Sequence, residues 1–101
     1  MRPVFSSETA TKHLVFSVGD FEPGEKLIPH IHPESEEGYY VLEGNGTVYL
    51  GKDLKEILIK PHMALFVPVG EIHGVTNTGK RRLLVAFFVA PGREQTRTYE
   101  K

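Results

Sequence analysis

Residues 24–44 read GEKLIPHIHPESEEGYYVLEG. This segment carries His30, His32 and Glu37, three side chains of the kinds that bind divalent transition metals. Side chains alternate between the two faces of a β-strand, so His30 and His32 share a face if their segment is extended. The spacing therefore indicates a metal site on one face of a sheet.

The residues that follow predict how Glu37 reaches the two histidines. Residues 33–36 hold a proline and two glutamates and are typical of a turn, and residues 39–42 are typical of a second strand. If that strand runs back beside the first, Glu37 comes close to both imidazoles. An alternative stays open, because clusters of His and carboxylate residues give false positives. The histidines could lie on the polar face of an edge strand, with the glutamates in a solvated turn.

Composition bounds the class of protein. With 101 residues, the chain is expected to form a single domain, residues 1–101, able to bury a core. It has no cysteine, so any metal must be held by nitrogen and oxygen atoms. A net charge of -1 gives no reason to expect nucleic acid or an anionic membrane as a partner. The polar N-terminus does not resemble a signal peptide, so a cytoplasmic protein is expected.

Short runs of branched and aromatic residues, separated by glycine and proline, fill the chain. This spacing predicts an all-β sandwich or barrel, and no long amphipathic helical pattern is visible. A break is expected at Gly19 and Asp20, and residues 91–101 are expected to form a tail docked by Tyr99. The predicted strands are residues 13–18, 25–32, 39–42, 47–50, 54–59, 63–67, 72–77 and 82–90.

The last predicted strand, RLLVAFFVA, is apolar on both of its faces. One face can fill the interior of a barrel. The other must be covered by a second sheet layer or by another subunit, so a homodimer is one hypothesis. A central strand that is buried on both faces within a single chain is the alternative.

Two blocks of the sequence resemble the motifs of the cupin family. The first motif of the family is matched, at its spacing, by Gly24, His30, His32, Glu37 and Gly44. The second motif is matched by Pro68, Gly70, His73 and Asn77. His62 stands where this motif has its first glycine, a position that glycine can occupy with a positive φ. His62 is interpreted as a surface turn residue, with a place at the pocket mouth as the alternative.

The resemblance implies a double-stranded β-helix, or jelly roll, around one metal ion. The implied ligands are His30, His32, Glu37 and His73. Three imidazoles and one carboxylate suit Fe, Mn, Ni, Co or Zn, and leave one or two positions of a six-coordinate ion open.

The metal hypothesis leads to several candidate functions. The first is a metalloenzyme acting on a small oxygen-bearing substrate, with dioxygenase-like, decarboxylase-like (lyase) or isomerase chemistry. The second is a non-catalytic barrel that binds or senses a sugar or an organic acid, and the third is a purely structural metal. Met63, Leu65 and Val67 are expected to share one face and to make the interior mostly apolar. Tyr39 is interpreted as a core residue, with hydrogen bonding to a ligand as the alternative.

Overall fold

A computed structural model describes residues 2–5, 14–91 and 97–98 of the chain. The regular structure in these ranges is entirely β-strand, as the turn spacing predicts. The predicted start of the first strand at His13 and the predicted docking of the tail by Tyr99 lie outside the described residues. The strands are β1 (Arg2–Phe5), β2 (Val15–Phe21), β3 (Lys26–Ile31), β4 (Glu36–Glu43), β5 (Gly46–Leu50), β6 (Lys55–Ile59), β7 (Ala64–Val67), β8 (His73–Thr76), β9 (Leu83–Ala90) and β10 (Arg97–Thr98).

The strands form two antiparallel sheets. The first has the order β1-β2-β9-β4-β7 and the second has the order β10-β3-β8-β5-β6. Neighbours within each sheet are mostly distant in the chain, as expected of a double-stranded β-helix, so the predicted all-β jelly roll is confirmed. In the part of the chain that the structure describes, no helix is long and apolar enough to cross a bilayer.

The core lies between the two sheets and is built from alternate residues of their strands. On β9, for example, Leu83, Val85 and Phe87 are fully buried. Burying each such side chain contributes roughly 1.5–3 kcal/mol. The buried cluster comprises Phe21, Tyr39, Val41, Val48, Ile59, Val67, Val75, Leu83, Val85 and Phe87. Both sheets contribute to it, so the core fixes the distance between the facing strands.

The break predicted at Gly19 and Asp20 is wrong, because β2 continues to Phe21 and pairs with β9 along its whole length. A Cβ at Gly19 would lie 2.5 Å from the ring of Phe87 and 2.6 Å from the ring of Phe21. The glycine therefore makes room for two aromatic rings in the core rather than ending the strand.

A β-bulge in β3 changes which of its residues face the core. Leu27 pairs with Val75 and His30 pairs with His73, so two residues of β3 lie opposite one residue of β8. Strict alternation along an extended strand would place Ile28 on the same face as His30, and the bulge prevents this. Instead, Leu27 packs against the core and Ile28 is 48% exposed. Bulges of this kind re-aim side chains next to functional sites.

Candidate metal centre

The four predicted ligands come together between the two sheets. His30 and His73 are cross-strand partners on β3 and β8, and His32 follows the end of β3. Glu37 lies on β4 of the other sheet, so the predicted pairing of its strand beside β3 does not occur. The carboxylate instead approaches the histidines across the barrel. One candidate ligand atom from each residue lies within 4.8 Å of all the others.

The contacts within the cluster are short and mostly buried. Glu37 Oε1 lies 2.8 Å from His73 Nε2 and 3.1 Å from His32 Nε2. The ring centroids of His30 and His73 are 4.1 Å apart. His73 is 1% exposed and Glu37 is 4% exposed, whereas the His32 side chain reaches 12%. A small molecule would therefore reach the cluster from the side of His32.

Two backbone carbonyls fix the tautomers of the buried histidines. His30 Nδ1 lies 2.8 Å from the carbonyl oxygen of Ile28, and His73 Nδ1 lies 2.9 Å from that of Glu71. A carbonyl oxygen only accepts hydrogen bonds, so both Nδ1 atoms carry the proton and both Nε2 atoms keep a lone pair for the cluster. Carbonyl partners of this kind commonly orient metal-binding histidines.

This tautomer makes the contact between His73 Nε2 and Glu37 Oε1 informative. In the neutral imidazole both atoms are acceptors, and two acceptors 2.8 Å apart need a cation between or beside them. A second proton on His73 or a metal ion can fill that role. Nitrogen and carboxylate donors converging without their own protons fit a divalent transition metal.

The protonation states of Glu37 and His30 also fit a cation site. Burial disfavours the charged form of Glu37, but its contacts with the His32 and His73 imidazoles outweigh this effect and lower the pKa of its carboxyl group. Burial lowers the pKa of His30, against the effect of its hydrogen bond to Ile28. Glu37 is therefore ionised and His30 neutral at pH 7, the forms in which these side chains bind metals.

Tyr39 lies next to the cluster, in the core. Its ring centroid is 4.8 Å from that of Phe87 and 6.1 Å from that of His73. Burial, together with the charge of Glu37, raises the pKa of its phenol well above the usual value, so it remains a neutral donor. Its hydroxyl is buried without a hydrogen-bond partner among the described residues. The core interpretation is confirmed, and hydrogen bonding to a ligand stays a prediction.

Two other motif residues lie away from the cluster. Asn77 Nδ2 donates hydrogen bonds of 2.8 Å to the carbonyl oxygens of Phe21 and Arg81, so its role is structural. His62 has a φ of 73°, is exposed and makes a 2.9 Å hydrogen bond with the hydroxyl of Tyr40. The surface turn interpretation of His62 is confirmed, and the positive φ matches the glycine expected at its position.

The interior face of β7 was predicted correctly. Leu65 packs against the core and Val67 is 2% exposed, whereas Phe66 points away from it and is 61% exposed. Met63, just before this strand, also packs against the core. Among residues 14–91, Glu37 is the only buried carboxylate and no lysine is buried. Among residues 14–91, the buried titratable groups are therefore those of the cluster and the Tyr39 hydroxyl.

Comparison with known proteins finds relatives of similar sequence. Tetracenomycin polyketide synthase protein TcmJ of Streptomyces glaucescens is 32% identical over 71% of this chain and 47% of its own length. Dimethylsulfoniopropionate lyase DddW of Ruegeria pomeroyi is 35% identical over 80% of this chain and 51% of its own length. The chain thus spans about half the length of these curated relatives.

A solved structure extends the likeness to nearly the whole chain. An uncharacterized conserved protein with a double-stranded beta-helix domain, from Klebsiella pneumoniae, superposes with a TM-score of 0.84 at 25% identity, covering 99% of this chain and 86% of that one. The family model described as "Cupin domain" matches residues 17–90, a range that includes both motifs and all four clustered side chains. By its sequence match and by its fold, the chain belongs to the cupin family.

Proposed function

We propose that this chain binds one divalent transition-metal ion and acts on a small oxygen-bearing molecule such as a carboxylate, an enol or a catechol. The ligands would be His30, His32, Glu37 and His73. The observation that carries the proposal is the convergence of three imidazoles and one carboxylate within 4.8 Å, with two imidazole tautomers set by the backbone. Fe, Mn, Ni, Co and Zn are all compatible with this donor set.

The chain's own residues would divide the work at such a site. Glu37 offsets part of the charge of the cation, and the Ile28 and Glu71 carbonyls hold two imidazoles in fixed orientations. When bound, the ion would supply Lewis acidity or, with iron, redox chemistry to an oxygen-bearing ligand. Four protein ligands leave room for that ligand in a six-coordinate shell.

The names of the relatives support an enzymatic role without selecting a reaction. One relative is named a lyase and another a polyketide synthase protein. Oxidoreductase chemistry of the dioxygenase type, decarboxylation by a lyase and isomerisation are the candidate reactions. Glu37, the only buried carboxylate among residues 14–91, belongs to the proposed metal site. This favours metal-centred chemistry over acid–base catalysis, which needs a further positioned proton carrier.

A non-catalytic barrel that binds a sugar or an organic acid is the second candidate. Apart from Tyr39, residues 14–91 hold no buried acid or base outside the proposed metal ligands, and this favours the binding barrel too, because binding alone requires none. The two candidates share the metal and differ in turnover.

Metal content tests the ligand assignment. The parent protein, His32→Ala and His62→Ala would each be equilibrated with one metal and measured for bound metal per chain, with circular dichroism as a check of the fold. We expect about one ion per chain for the parent and for His62→Ala, whose exposed side chain lies outside the cluster. His32→Ala should lose most of its metal and keep its fold, because His32 follows the end of β3. Equal metal content in His32→Ala and the parent would refute the assignment.

Turnover separates the two candidates. Oxygen uptake would be measured for the iron-loaded protein with catechols, β-diketones and thiols, and loss of carbon dioxide for the manganese-loaded protein with small carboxylates. Consumption of any of these supports the enzyme. Saturable binding of one of them without consumption supports the binding barrel.

A further inference from the structure

The Tyr39 hydroxyl is the one buried side-chain polar atom without a hydrogen-bond partner among the described residues. The residue is 2% exposed, so water at the surface does not satisfy the hydroxyl either. Burying a hydroxyl without a hydrogen bond is unfavourable, and native proteins rarely do so. A phenylalanine would fill the same space without that cost. The tyrosine therefore indicates a partner that the described residues do not supply.

Other buried polar side chains of the same barrel do have partners. Ser35 donates a hydrogen bond to the carbonyl oxygen of Pro91, and Thr47 shares one with a neighbouring threonine. Asn77 uses both its amide nitrogen and its amide oxygen. The interior of this fold therefore satisfies its polar groups as native proteins usually do. Tyr39 is the exception, and it lies beside the candidate metal centre.

The position of Tyr39 on β4 brings its hydroxyl close to the cluster. Strand alternation places the side chain on the same inward face as Glu37, two residues earlier. The ring packs edge-on against Phe87 of the same sheet, and its centroid lies 6.1 Å from that of His73 on the facing sheet. The charge of Glu37 contributes to the raised pKa of the phenol, so the hydroxyl lies within the electric field of that carboxylate. The unpartnered donor thus lies in the interior, next to two of the proposed metal ligands.

The charges of the interior limit what kind of molecule can bind beside Tyr39. Histidines bind metal ions in their neutral form, so a divalent ion and the Glu37 carboxylate together carry one net positive charge. Among residues 14–91, no lysine or arginine is buried. A singly charged anion would therefore neutralise the centre, whereas a second negative charge would be buried without a cationic partner.

We propose that the Tyr39 hydroxyl donates a hydrogen bond to an oxygen atom of a small, singly charged anion, such as an enolate or a carboxylate, at the candidate metal centre. Because the ion holds the anion, this binding rests on the metal site of the proposed function. Tyr39 is then a ligand-binding residue that orients the anion, in addition to the four metal ligands. Its ring is already fixed by Phe87 and His73, so little side-chain freedom is lost when the anion binds.

Binding of acetohydroxamate, a small anion that chelates transition metals through two oxygen atoms, tests the proposal. Its affinity would be measured by titration calorimetry for the cobalt-loaded parent, Tyr39→Phe and Tyr40→Phe. Tyr40 is the matched control, because it follows Tyr39 on the opposite face of β4 and its hydroxyl contacts His62. Tyr39→Phe should bind acetohydroxamate about 10- to 100-fold more weakly than the parent, the range expected for a hydrogen bond to a charged acceptor. Tyr40→Phe should bind it as the parent does.

A second ligand separates hydrogen bonding from a general disturbance of the site. N-methylimidazole binds cobalt through nitrogen and has neither an oxygen acceptor nor an N–H group, so the parent and Tyr39→Phe should bind it with equal affinity. The cobalt content per chain and the visible spectrum of the cobalt-loaded protein should also be the same in both, because Tyr39 lies outside the donor set. A packing defect would instead weaken the binding of both ligands or release the metal.

Oxalate tests the charge of the ligand, because it also chelates through two oxygen atoms but carries two negative charges. The affinity of each anion for the cobalt-loaded parent would be divided by its affinity for free cobalt ion. By this ratio, oxalate should bind the parent at least about 10-fold more weakly than acetohydroxamate does. An equal or higher ratio for oxalate would overturn the assignment of a singly charged ligand.

Failure of the Tyr39 proposal and failure of the metal site give different results. A parent protein that binds no metal overturns both. A parent that binds cobalt but does not bind acetohydroxamate, or binds it no more tightly than Tyr39→Phe does, overturns the role of Tyr39 and leaves the metal site intact. Equal losses of affinity for acetohydroxamate and N-methylimidazole in Tyr39→Phe would also overturn that role, by assigning the residue to packing alone.

Discussion

The buried side chain of Asn77 makes hydrogen bonds to three backbone groups. It is 1% exposed, its Nδ2 donates to the carbonyls of Phe21 and Arg81, and its Oδ1 accepts a 2.9 Å hydrogen bond from the backbone nitrogen of Gly79. Asn77→Ala leaves these three backbone groups without their partner. We expect the free energy of unfolding to fall by about 2–4 kcal/mol, measured by urea denaturation of the metal-free protein.

Tyr39→Phe is the matched control for Asn77→Ala. It also removes one buried polar group, but the Tyr39 hydroxyl has no hydrogen-bond partner among the described residues. The free energy of unfolding should therefore change by less than about 1 kcal/mol, or rise slightly. A loss as large as that of Asn77→Ala would mean that the hydroxyl is hydrogen-bonded in solution.

Sequence motifs located these residues more successfully than they assigned roles to them. The spacing of His30, His32 and Glu37, together with the resemblance of the segment around His73 to the second cupin motif, selected the four side chains that the structure brings together. The role of Asn77 could not be derived in this way, because its partner Phe21 is 56 positions distant in the chain. A hydrogen bond of that span depends on the closed barrel and leaves no local pattern.

At the scale of elements, the bulge in β3 depends on Gly74 in the neighbouring strand. A Cβ at Gly74 would lie 3.0 Å from the carbonyl oxygen of Leu27 and 3.0 Å from the nitrogen of Pro29. Both are backbone atoms, so Gly74→Ala must displace β3 from β8. We expect a loss of about 1–3 kcal/mol in stability.

The same substitution should weaken metal binding, because β3 and β8 carry His30 and His73. Thermal unfolding of the metal-free protein and competition with a chromophoric chelator would measure the two effects separately. If neither the stability of the metal-free protein nor its affinity for metal changed, the bulge in β3 would not depend on Gly74.

Alternation predicted the strands well but could not give their partners. All strands of the central part of the chain were found within a few residues of their bounds. The short turn at residues 33–36 nevertheless joins β3 and β4 across two sheets instead of pairing them. A local pattern cannot distinguish these outcomes, because the choice depends on strands such as β8 and β9 that lie far along the chain. The bulge, which inserts one residue into the alternation, was missed for the same reason.

At the scale of the whole molecule, the cluster depends on closure of the barrel. His30 and His73 come from one sheet and Glu37 from the other, so the site exists only when the two sheets pack. A ligand that binds the folded state alone adds to stability in proportion to the logarithm of its concentration. Metal binding and folding of this chain are therefore expected to be coupled.

The acid response of the metal-free protein follows from two buried groups. Burial lowers the pKa of His30 below its ordinary value of 6.5. For Glu37, burial acts to raise the pKa, but the contacts with the His32 and His73 imidazoles outweigh it and lower the pKa below 4.5. In each case the unfolded chain binds a proton at a higher pH than the folded chain does. Their contributions to stability are complete above 6.5 and 4.5, respectively, and are lost as the pH falls through each folded pKa.

We therefore expect the free energy of unfolding, measured in urea with a chelator present, to fall as the pH is lowered below 6.5 and to fall further below 4.5. His30→Gln should reduce the decline in the free energy of unfolding below pH 6.5. Glu37→Gln should reduce the further decline below pH 4.5. Since protons compete with metal for the same atoms, the metal-loaded protein should show a steeper decline. Stability that increased between pH 7 and pH 5 would contradict the assignment of a neutral, buried His30 beside an ionised Glu37.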